Sequence, residues 1–144
     1  MFTHNQTTAG MNSLVMDLFA AWNAHDIERA VTFYAPDYEG VDVSEATPHL
    51  GTEGVRQYIR RYLQAFPDLT VTAESPIIEE ERLAIAWLAR GTHQGKLMNI
   101  PPTGHPVQIR GVSLLTITNG KISQGTHIWD VAGLLRSIGL LPEL

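Results

Sequence analysis

Apolar residues recur first at three- and four-residue spacing, then at every second position. Leu14, Val15, Leu18, Phe19 and Trp22 form one stripe, predicting a helix from about Met11 to Ala24. Asp26 reads as the N-cap of a second helix, Ile27 to Tyr34, with Glu28 at its positive end and Ala35-Pro36-Asp37 as its stop. Tyr38 to Val43 reads as a short strand, and Ser44 to Gly51 as a loop. Thr52 is placed to cap a third helix that runs to Phe66, with Val55, Ile59, Tyr62 and Phe66 on one side and Pro67 at its end. The period then falls to two. Leu69, Val71 and Ala73 alternate with threonines; Leu83, Ile85, Trp87 and Ala89 lie on one face of a longer strand reaching toward His93.

A loop with three prolines spans Gly95 to Pro106. Two strands follow, Val107–Ile117 and Ile122–Trp129. Asn119-Gly120 between them is the residue pair that a type I′ hairpin needs, because both central positions take positive φ. Asp130 precedes a last helix that ends near Gly139. Helices gathered early and antiparallel strands late predict an α+β fold, a curved antiparallel sheet with helices on one face.

Composition narrows the chemistry. The chain has 144 residues, 44% apolar and 17% charged, with a net charge of −5. This is the length of one domain able to bury a core. Without a basic block carrying interleaved aromatics, no nucleic-acid partner is expected. With no cysteine, disulfides, thiol nucleophiles and cysteine-held zinc are excluded, and a cytoplasmic home is consistent with this. The polar first ten residues do not read as a signal peptide, and residues 1–10 are expected to be a flexible tail before one domain at 11–144. No apolar run is long enough to span a membrane. Neither His-x-His nor His-Glu-x-x-His occurs, so no metal is expected. Phosphate-binding loops and the Gly-x-Ser-x-Gly elbow are also missing.

Six segments together resemble one family: Asn23-Ala-His-Asp26, Phe66-Pro67-Asp68-Leu69, Gly91-Thr92-His93-Gln94-Gly95, Pro101-Pro102-Thr103-Gly104, Gly120-Lys121-Ile122 and Gly133-Leu-Leu-Arg-Ser-Ile-Gly139. In order and spacing, from Met11 to Pro142, they resemble the SnoaL-like polyketide cyclases of the NTF2-like superfamily. The resemblance implies a conical barrel whose curved sheet and N-terminal helices enclose a pocket. It also implies a homodimer formed through the sheet, and a hydrophobic small-molecule substrate. The best-known members close a ring of a polyketide ester by aldol condensation, with an acid/base aspartate and no cofactor, in secondary metabolism. Relatives hydroxylate, isomerise or open epoxides. Counting back from the last helix, the catalytic aspartate of the cyclases falls on His127 and their assisting histidine near Ser113. Asp130 falls where the family has Asp or Asn. The chain departs from the cyclase pattern at both catalytic positions.

The residues leave alternatives open. His127 shares a strand face with Gly125 and Trp129. An imidazole there serves as an acid/base near neutral pH or as a hydrogen-bonded part of the wall. Asp130 is favoured as a helix cap over an acid; Ser113 or Asp130 is the candidate to orient His127. Trp22 and Tyr58 are the first candidates for ligand contact, with Phe66, Trp87, Trp129 and His93 behind them; core packing is the competing reading for each. His49 and His105 are expected in exposed loops, and Arg110 is expected to point outward. The activity expected is cofactor-free proton abstraction and ring closure. A hydroxylase, isomerase or epoxide-opening enzyme and a non-catalytic binding or dimerisation module are the alternatives.

Overall fold

The computed structural model of the chain describes residues 7–143. Four helices and seven strands follow in the order α1 (Thr8–Asn23), α2 (Ile27–Val31), β1 (Tyr34–Asp42), β2 (His49–Leu50), α3 (Gly51–Ala65), β3 (Thr70–Ala73), β4 (Ile77–Glu79), β5 (Arg82–Thr92), β6 (Pro106–Thr118), β7 (Lys121–Trp129) and α4 (Val131–Ser137). One sheet runs β2-β1-β7-β6-β5-β3, and β4 also pairs with β5. It does not close, so the expected cone is an open one. The sheet is antiparallel as expected except at one place: β1 runs parallel to β7. The reason is connectivity, since α3 and five strands lie between these neighbours.

Several local expectations shift. α1 starts at Thr8, earlier than Met11, because the Thr7 side chain accepts a hydrogen bond from Gly10 N at 2.8 Å and supplies the cap. Residues 8–10 of the expected tail are therefore helical; residues 1–6 lie outside the described residues. α2 stops at Val31, and Tyr34 begins a strand that runs through Ala35-Pro36-Asp37. Pro36 has no N–H to give, and the β1–β7 register slips between Tyr34 and Glu39. α3 begins at Gly51, with Leu50 at the N-cap and no side-chain cap bond, so Thr52 does not cap it. The hairpin forms as the sequence requires, with φ of 52° at Asn119 and 76° at Gly120.

The core has two parts. One gathers α1, α2 and α3 against β5, β6 and β7 around Val15, Ile59, Ile85 and Ile117; the other gathers Phe66, Leu69, Ile109, Trp129 and Leu134. Trp22 packs against both. Polar clasps fix the helices to the sheet edge. The Asn23 side chain exchanges two hydrogen bonds with the backbone of Val71, at 2.7 and 2.9 Å. His25 Nε2 bonds the Leu69 carbonyl at 2.8 Å, and the Asp68 carboxylate takes Thr92 N and Oγ1, both at 2.7 Å. These clasps involve three of the six segments quoted above.

Candidate functional site

A cavity of about 110 Å³ lies between the two parts of the core, on the inner side of the sheet. It far exceeds the ~10–15 Å³ that one water needs. Its walls come from α1 (Leu18, Phe19, Trp22), α3 (Tyr58, Tyr62) and the sheet (Tyr34, Val71, Trp87, Ala89, Ile109, Ser113, Leu115, His127, Trp129), with Phe66 and Leu69 between them. Eight tyrosine, tryptophan and phenylalanine rings from this set, with a single imidazole and a single serine, suit a flat apolar ligand with few polar anchors.

Sheet register builds the polar part. Ser113 on β6 lies opposite His127 on β7, and His127 lies opposite Asp42 on β1, so the three form one row across three strands. His127 Nδ1 is 2.8 Å from Ser113 Oγ. Trp87 Nε1 donates to the same oxygen at 3.0 Å. Trp87 reaches it by lying over Gly111, where any Cβ would collide with the indole. The Tyr58 ring stacks on the imidazole, with centroids 5.4 Å apart and planes 20° from parallel. Burial drives the His127 pKa down to about 4; nearby Asp42 opposes this and His49 adds to it. The imidazole is therefore neutral at pH 7.

Asp42 is fully buried behind the rings. Its Oδ1 accepts from Ser44 N at 2.8 Å, Ser44 Oγ at 2.5 Å and Trp129 Nε1 at 2.9 Å. Its Oδ2 accepts from Tyr58 at 2.9 Å and Tyr62 at 3.1 Å. Burial pushes its pKa up, but the Ser44, Tyr58 and Trp129 donors outweigh that and hold it below the ordinary carboxylate value. Burial, with the charge of Asp42 beside them, raises both tyrosines, so they stay protonated. The Tyr62 hydroxyl is also 3.1 Å from Glu45 Oε2, so its one proton is shared between the two carboxylates, and Glu45 pairs with Arg61.

The candidates fall into two groups. Trp22, Tyr58, Phe66, Trp87, Ser113, His127 and Trp129 all line the cavity. His93 and Asp130 do not. His93 is fully buried, with Nδ1 3.0 Å from Thr103 Oγ1 and its ring against Phe66, so it holds the proline loop behind the wall. Asp130 is exposed and accepts Gly133 N at 2.8 Å as the cap of α4. The expectation that it orients His127 is corrected: the helix end takes its carboxylate, and Ser113 holds the imidazole. The expectation of an exposed His49 is also corrected. It is 7% exposed, because β2 pairs with β1 and turns the ring onto Tyr58, with centroids 4.5 Å apart. His105 and Arg110 are exposed as expected. Asp42 and Tyr62 were not anticipated as site residues. Among the described residues, no group of three or more His, Cys, Asp or Glu is placed to hold a metal.

An open sheet folded with helices around an aromatic cavity is the NTF2-like architecture, and the solved structures agree. The proposed hydroxylase AclR of Streptomyces galilaeus is 28% identical and superposes with a TM-score of 0.84, over 96% of this chain and 90% of its own. The structure of a proposed SnoaL-like polyketide cyclase from Jannaschia sp. CCS1, 20% identical, superposes equally well, over 96% and 99%. The SnoaL-like polyketide cyclase family model matches residues 13–138, and the chain belongs to that family. The nogalonic acid methyl ester cyclase of Streptomyces nogalater is 27% identical over 123 residues, 85% of this chain and 92% of the relative.

Proposed function

We propose that the protein is a cofactor-free enzyme that binds a hydrophobic, polyketide-like carbonyl compound in the cavity and closes a ring on it by acid/base chemistry at His127. The observation that carries this reading is an imidazole set in an aromatic wall, its Nδ1 held by Ser113. With Nδ1–H directed at Ser113 Oγ, Nε2 keeps its lone pair for a bound molecule. Nε2 takes a proton from the carbon beside a carbonyl, leaving an enolate. The enolate carbon attacks a second carbonyl of the same molecule, a carbon–carbon bond forms, and the new alkoxide takes the proton back. Substrate and product are isomers, and the enzyme ends as it began. A carbon flanked by two carbonyls, as polyketides have, is acidic enough for a base that is weak while the cavity is empty. The enolate formed beside it raises its proton affinity. The rigid rings hold the chain in the folded conformer that ring closure needs.

The cyclase relative from Streptomyces nogalater supports the reaction class. The test is turnover of an aromatic polyketide ester with an open side chain. A product of unchanged mass is expected, and His127→Ala should lower the rate ~10²–10⁴-fold while leaving the circular dichroism intact. Undiminished turnover in His127→Ala would remove the imidazole from the reaction. A product heavier by one oxygen would favour the second reading, a hydroxylase, which the likeness to AclR supports.

A homodimer through the sheet belongs to the same reading. Val41, Val112, Leu114 and Ile128 lie on the outer face of three neighbouring strands and Val43 just past the end of β1, each 37–53% exposed. A row of this kind supports a protein contact.

A further inference from the structure

We propose that Asp42 is a positioning residue for the chemistry at His127, fixing the Tyr58 ring against the imidazole and supplying the negative charge beside which the imidazolium forms. This rests on the reading of His127 as the group that takes the proton.

A fully buried carboxylate is costly, and a well-packed apolar side chain serves a core at least as well. Here three of its donors, Tyr58, Tyr62 and Trp129, are rings of the cavity wall. One carboxylate thus sets the orientation of three walls. It stands next to His127 in the cross-strand row, yet all of its hydrogen bonds go elsewhere. It reaches the imidazole through its field and through the stacked Tyr58 ring.

Other groups around the ring do not replace that charge. From β2 comes His49, neutral because burial lowers its proton affinity. From α3 come Tyr58 and Tyr62, both protonated phenols. Farther out, the Arg61 cation is bonded to Glu45. Asp42 is the charge that raises the proton affinity of His127 against burial. When Nε2 takes a proton in a dry site, this anion offsets the new cation in the low dielectric where such an offset is strong. As its donors keep it ionised, it does not compete for the proton.

The test is steady-state kinetics of the full chain with Asp42→Asn, beside His127→Ala and Tyr58→Phe, on a neutral aromatic polyketide ester. Asp42→Asn should lower kcat on the order of 10–100-fold, one to two pKa units of lost imidazolium support, while KM stays within about twofold because the rings still pack. The acid limb of kcat/KM, which reports free His127, should move to lower pH. Tyr58→Phe removes a donor and leaves the charge, so its acid limb should move to higher pH. That variant keeps the proposal open to refutation even where Asp42→Asn fails to fold. Full kcat in folded Asp42→Asn, or a rise in KM alone, would overturn the role and leave the His127 reading standing. An acid limb unmoved in Tyr58→Phe would also overturn it. Full activity in His127→Ala would overturn both.

Discussion

His127 is neutral in the fold because burial penalises its charged form more than Asp42 rewards it. The sign of the resulting pH dependence follows. Below pH ~6.5 the unfolded chain takes up a proton that the fold refuses until pH ~4. The stabilisation is complete above pH ~6.5 and falls away toward pH 4, by on the order of 3 kcal/mol. His49, lowered by its own burial, acts in the same direction. Asp42, held below its ordinary value, contributes stability that is lost at lower pH, below ~4. Urea midpoints at pH 7 and pH 5 check this: wild type should weaken at pH 5, and His127→Gln should weaken less. An equal loss in both would place the acid sensitivity elsewhere. At this scale the sequence spoke clearly about the aromatics and poorly about acids. Trp22, Tyr58, Phe66 and Trp87 stood on core-facing elements and reached the cavity wall. Asp130 drew notice through its position before a helix, and the helix end took it. Asp42 drew none, flanked by valines in a short strand.

That strand shows why. Along β1, alternation by hydrophobicity alone turns Val41 and Val43 inward and Asp42 to solvent; the fold does the reverse, with both valines exposed and Asp42 buried. The same inversion occurs on β6, where Ser113 is buried between the exposed Val112 and Leu114. On β7, Trp129 shared its face with His127 and marked that face as inner, so the strand was legible. Register is what one-strand patterns lack. The row Ser113–His127–Asp42 exists only because β7 lies between β6 and β1, and the β1–β7 pairing is the one parallel contact in the sheet. Hairpin signals such as Asn119-Gly120 are local and were readable. A pairing across nearly ninety residues leaves no local mark. The length of α2 was missed for a related reason: Pro36 looked like a helix stop, yet on a strand whose register slips there it costs little.

Taken as a whole, the sheet has two unlike faces at the same residues. Where β1, β7 and β6 turn polar groups toward the cavity, the alternation of a strand forces valine, leucine and isoleucine outward. A polar site inside and an apolar patch outside are two consequences of one inverted stretch. A second copy covering that patch would place a rigid layer directly behind the row Ser113–His127–Asp42. Light scattering should therefore return twice the chain mass for wild type and the single mass for Ile128→Glu; a monomeric wild type would refute the dimer. In outline the fold was legible because helical periods precede strand periods and because six short segments occur in family order. Its pocket was legible through its aromatics and through Ser113 and His127, but not through Asp42. The central claim is that the imidazole on β7 removes a proton from carbon inside this cavity. Its most direct test is exchange of the α-proton of a neutral, hydrophobic β-keto ester in deuterated water, followed by NMR. Wild type should speed exchange well above buffer and His127→Ala should return it to the buffer rate; equal exchange with both proteins would contradict the account.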